Sequence, residues 1–156
     1  MTKMDVSFFG EFKDPYLGTE EGQGAFLSGV SLGMLARGQI AKGASIDSSP
    51  LYKQLRFGRL QRRNITALMS RVPELARATM GENSTGLAGM IESLCAKAGD
   101  LIMRGGDAEL GVNGNFAFSV AFMNAPDYFY GKIFKKKDKE SEASDTDGTD
   151  RAEEGN

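Results

Sequence analysis

Apolar residues recur along this chain with helical spacing, in blocks separated by glycine, proline and polar breaks. From about Glu21 to Ile40, Phe26, Leu27, Val30, Leu32, Met34, Leu35 and Ile40 predict a strongly apolar helix. Thr19 stands as its N-cap, with Glu20 and Glu21 at the positive end of the helix dipole. After a loop from Gly38 to Ser49, Pro50 begins a short helical turn that runs to about Arg56. From about Leu60 to Met80, Ile65, Leu68, Met69, Val72, Leu75 and Ala76 form one stripe, which Pro73 must kink or restart because it lacks a backbone donor. Asn83-Ser84-Thr85 signals the start of a helix to Arg104, with its stripe on Leu87, Ile91, Leu94, Cys95, Ala98, Leu101 and Ile102 and a stop at Gly105-Gly106. Asn115 to Ala125 is apolar on all sides; its helical company favours helix over strand.

With no repeat and no further strand candidate, the pattern predicts an all-α fold, a four- to five-helix bundle. Residues 1–18 read as an N-terminal extension, 19–134 as the bundle and 135–156 as a charged tail. That tail has no large apolar side chain, five bases and eight acids, so it cannot offset its ordering entropy and is expected to be disordered.

Glycines interrupt the first helix, among them Gly22, Gly29 and Gly33. The last two have the spacing of a membrane dimer motif. The charge-free run from Gly22 to Ala36 is shorter than the ~20 residues a span needs, so the prediction is a buried helix that a neighbour approaches closely. No basic region and long apolar core follow Met1, so a secretory signal is not expected.

Charge changes the picture most. The formal net charge of the chain is −2, yet residues 37–77 carry nine bases against two acids, Asp47 and Glu74. The bases are Arg37, Lys42, Lys53, Arg56, Arg59, Arg62, Arg63, Arg71 and Arg77. Exposed charges are screened beyond about 10 Å at 0.1 M salt, so local potential decides whether a polyanion is attracted. A charged helix face opposite an apolar stripe is ordinarily just a soluble surface. Ordinary faces mix their signs, however, whereas Glu74 is the one acid between Arg56 and Met80. Arginine outnumbers lysine here, which suits bidentate phosphate contact. Tyr52 and Phe57 are the few interleaved aromatics, so contact with the backbone is favoured over base stacking.

Catalytic chemistry finds little support. The chain has no histidine, which excludes Ser–His and Cys–His nucleophiles, and its one cysteine, Cys95, sits on an apolar pattern as a small hydrophobe. No zinc-type cluster is present, and the composition fits a reducing, cytoplasmic compartment. The glycine pairs Gly105-Gly106 and Gly111–Gly114 lack the lysine and hydroxyl of a phosphate-binding loop. Asp100, Asp107 and Glu109 are the nearest approach to a metal-binding group, but solvated helix-end acids explain them better. No enzyme activity and no cofactor are expected.

Several pieces in order resemble one family. They are the glycine-interrupted helix from Glu21 to Gln39, Ser49-Pro50-Leu51-Tyr52-Lys53-Gln54-Leu55, Arg71-Val72-Pro73-Glu74-Leu75, Ala98-Gly99-Asp100, and the aromatic run Phe116 to Phe122. This succession is similar to the C-terminal helical region of the large subunit of type I-B CRISPR Cascade, a region also made as a separate small subunit. A short chain beginning at Met1 looks like that separate subunit. Where the family form carries an aromatic after Ala-Gly-Asp, this chain has Leu101-Ile102-Met103.

The resemblance implies a non-catalytic protein of antiviral defence. Its implied partners are the Cascade large and backbone subunits, further copies of itself in an array, guide RNA, and target DNA including the displaced strand, with no membrane. Lys53, Arg56, Arg59, Arg62 and Arg63 are then the first candidates for phosphate contact, with Arg37, Arg71 and Arg77 behind them. The rival reading is a structural adaptor whose basic face docks an acidic protein.

Overall fold

Helix α1, Glu20–Gly38, is the axis on which the other helices pack: every residue from Gly24 to Ala36 is buried. The computed structural model describes residues 3–80, 85–104 and 109–135. Within them follow α2 (Pro50–Gln54), α3 (Arg62–Met69), α4 (Val72–Met80), α5 (Thr85–Arg104), α6 (Gly111–Met123) and α7 (Ala125–Tyr128), which continues as a π-helical turn over Phe129–Ile133. Among the described residues there are seven α-helices and no strand, an all-α fold.

Thr19 caps α1 as its sequence predicts, its hydroxyl accepting from the Gly22 N–H at 3.0 Å. Helices α5 and α6 flank α1 along most of its length. Close approach explains two of the glycines. A Cβ on Gly33 would lie 2.6 Å from the Phe122 carbonyl oxygen and 2.7 Å from the Ala125 methyl, and one on Gly29 would run into the Phe118 carbonyl. The small-residue spacing therefore seats α6 on α1. No helix among the described residues is long and apolar enough to cross a membrane.

The predicted helix over Leu60–Met80 is two helices. Pro73 has no N–H to offer the carbonyl of Met69, four residues back, and the chain turns through Ser70 and Arg71 before α4 begins. The freed Met69 carbonyl accepts the Cys95 thiol of α5 at 3.5 Å. The apolar stripe nonetheless continues across the break, with Ile65, Met69, Val72 and Ala76 buried.

Other boundaries also move. Helix α6 starts at Gly111, four residues before the predicted Asn115, and α2 stops at Gln54. Phe129, Ile133 and Phe134, beyond the last predicted element, are core residues. Residues 1–18, read as an extension, place Phe8, Phe9 and Leu17 in that same core, where Phe9 meets Phe26 edge-on at 5.5 Å. The Asn83-Ser84 capping signal, the Gly105-Gly106 stop, Asp107 and the tail from residue 136 lie outside the described residues.

Candidate nucleic-acid interface

The link between α2 and α3 is built to hold two arginines outward. Gly58 adopts φ +88°, which L side chains rarely tolerate, and it closes a turn in which Arg59 N–H donates to the Arg56 carbonyl at 2.9 Å. Three apolar residues of this link face inward. Leu55 and Leu60 are buried, and Phe57 packs against Phe118 and Phe122 of α6. Arg56, between Leu55 and Phe57, and Arg59, past the turn at Gly58, are left exposed.

Asn115 of α6 fixes the link near its α3 end. Its Oδ1 accepts the Leu60 N–H at 2.6 Å, while its Nδ2 donates to the Leu60 carbonyl at 3.1 Å and to the Gly111 carbonyl at 2.8 Å. A buried amide satisfied on both ends is a rigid brace rather than a penalty. At the next residue, Asn64 accepts the Gln61 N–H at 3.0 Å and starts α3. Beyond α2, at its N-terminus, Gln39 accepts from the Ser49 hydroxyl at 2.7 Å and the Leu51 N–H at 2.9 Å, fixing the start of that helix.

Between this link and α3 lies an open groove of about 510 Å³. Arg56, Arg59 and Arg63 line it together with the amides of Gln54, Gln61 and Asn64. Among the described residues no carboxylate pairs with any of the three arginines. The groove is therefore a cationic trough with amide donors along it. Such an arrangement takes phosphate oxygens at more than one point.

The other predicted residues divide in two. Lys53, Arg71 and Arg77 are exposed but do not line the groove. Arg62 and Arg37 turn into the fold. The Arg62 side chain is 12% exposed, pairs with Glu21 at 2.9 Å and donates to the Ile102 carbonyl at 3.2 Å. Glu21 also accepts from the Tyr16 hydroxyl at 3.1 Å, so one network ties the N-terminal turns, α1, α3 and the end of α5. Burial first, then the Glu21 charge, raises the Tyr16 pKa well above its ordinary value. Arg37 donates to the Phe122 and Met123 carbonyls at 3.0 and 2.6 Å, satisfying the C-terminus of α6. Periodicity could not foresee this, because each of the two reaches a partner distant in sequence.

Asp100, considered as a metal ligand, forms an i,i+4 ion pair with Arg104 at 2.8 Å on the surface of α5. Sequence reasoning missed Asn115, which follows Asn113 and Gly114 and so reads as part of a polar loop rather than as a buried residue with a partner.

Residues 2–85 match the family of the CRISPR-associated protein TM1802 (cas_TM1802) C-terminal domain. The chain belongs to that family. The matched stretch runs from the N-terminal turns through α4, so this CRISPR-associated domain includes every residue lining the groove, while Asn115, which braces it, lies beyond. No curated protein and no solved structure matches the chain.

Proposed function

We propose that this CRISPR-associated chain is the non-catalytic small subunit of a type I-B Cascade effector, a cytoplasmic complex of antiviral defence. It binds nucleic-acid backbone there, supporting the R-loop of guide RNA and target DNA and holding the displaced strand. The observation that carries this reading is the convergence of Arg56, Arg59 and Arg63 on one groove with no paired acid among the described residues. Backbone contact is independent of sequence, which suits a complex whose specificity comes from guide pairing.

A second observation supports protein neighbours. Val112, Phe116 and Met123 form an exposed stripe on α6, with Val112 85% and Phe116 68% accessible, and α6 carries no charged residue. Large apolar groups with little charge are the composition of an interface centre. Large and backbone subunits, or further copies of this chain, are the partners proposed for it. The same stripe favours the alternative of a structural adaptor, whose basic face would then dock an acidic protein.

Affinity purification of the tagged protein from its native cells, with sequencing of co-purified RNA, separates the two. Cascade membership predicts RNA of uniform length carrying CRISPR repeat sequence, together with the larger subunits. Protein partners without RNA would favour the adaptor.

A further inference from the structure

We infer that the acidic segment of this same chain, residues 140–156, occupies the arginine groove when nucleic acid is absent and is displaced by it. The displacement half of this inference rests on the function proposed above; the contact half does not. Two facts meet here. The groove presents Arg56, Arg59 and Arg63 without a carboxylate partner among the described residues, although the chain as a whole has more acids than bases. The segment from Glu140 to Asn156 supplies seven acids against one base, Arg151.

The segment has no large apolar side chain, so charge is the one strong attraction it has to offer a folded surface. Its acids are spread along its length rather than bunched, with one to three residues from each to the next. Along an extended strand, spacings of two to three residues set carboxylates about 7–10 Å apart, a strip of like charges such as a phosphate backbone presents. Reach is ample. The fifteen residues past Lys135, as far as Asp150, extend about 50 Å, against a diameter of about 37 Å for a body of this size.

A tethered segment meets the groove at an effective concentration on the order of millimolar, enough to fill it even when each ion pair is weak and salt-sensitive. The consequence is selectivity. Stray nucleic acid must displace the segment, whereas a strand already held by neighbouring subunits does so readily. An intramolecular competitor of about that strength lowers the affinity for a free oligonucleotide roughly tenfold.

The test uses the full chain with a nitroxide attached at Ser144→Cys. Buried Cys95 does not compete for the label. Paramagnetic broadening is read at the Arg56, Arg59 and Arg63 guanidinium signals, in this protein and in a second one whose seven acids from Glu140 to Glu154 are replaced by amides. Broadening in the acidic protein that vanishes in the amide version, together with about tenfold tighter binding of a single-stranded oligonucleotide by the amide version, supports the inference. No broadening, or equal broadening in both, overturns it. Broadening that depends on the acids, in a protein that binds no oligonucleotide, overturns the nucleic-acid function and leaves the contact standing.

Discussion

The carboxamide of Asn115 brackets the peptide of Leu60, accepting its N–H at 2.6 Å and donating to its carbonyl at 3.1 Å. One side chain of α6 thereby sets the position of a link that carries Arg56 and Arg59 on its outer side. The groove thus owes its shape to a residue that does not line it.

Replacing Asn115 with alanine leaves both polar groups of Leu60 without their partner. Each buried group so orphaned costs about 1–3 kcal/mol, so a loss of roughly 2–4 kcal/mol is expected in urea unfolding. Nucleic-acid affinity should fall too, although Asn115 lies under the link. Unchanged affinity in a folded variant would show that the link keeps its position without the brace.

Arg62 and Arg63 are neighbours in sequence with opposite tasks. Arg62→Ala removes the partner of Glu21, which is 20% exposed, and should cost about 2–3 kcal/mol, somewhat less than breaking a fully buried pair. Arg63→Ala, at an exposed position in the groove, should change stability by no more than about 0.5 kcal/mol and weaken nucleic-acid binding instead. Thermal unfolding and a binding titration on both proteins check the contrast.

Gly33→Ala should push α6 away from α1, since the new methyl would sit 2.6 Å from the Phe122 carbonyl oxygen. Helix propensity favours alanine by about 1 kcal/mol, yet backbone atoms do not move aside, and overpacking of about 1–3 kcal/mol should win. A melting temperature equal to or above that of the natural protein would contradict the close approach.

Burial pushes the Cys95 thiol up to about 11, with Glu92 adding to the shift. The folded state therefore keeps its proton where the unfolded chain, with a thiol near 9, has lost it. Stability is therefore intact below pH 9 and declines between pH 9 and 11. That part of the decline should be absent from Cys95→Ala, and the native thiol should react with alkylating reagents only as fast as the protein opens.

The elements that rest on local pattern were legible in the sequence. Thr19 and its glutamates announced α1, Pro73 announced the break, and the stripe Ile65 to Ala76 held its face across that break. The close packing at Gly29 and Gly33 was legible because small residues at that spacing have few other uses. What escaped depends on contacts between distant residues. Arg62 stands at the border of the stripe on a helical wheel, and it is Glu21 and the Ile102 carbonyl, far away in sequence, that draw it in, as the end of α6 draws in Arg37. Phe129 to Phe134 escaped because a π-helical turn has no repeating apolar period to announce it.

The central claim is that Arg56, Arg59 and Arg63 grip a nucleic-acid backbone, and its most direct test is the salt dependence of single-stranded DNA binding. Each phosphate contact with a single strand contributes about 0.7 to the slope of log affinity against log salt. Changing the three arginines to glutamine together should therefore flatten that slope by about 2, with unfolding unchanged to within about 1 kcal/mol. A slope equal to that of the natural protein, or no binding by the natural protein at low salt, would contradict the claim.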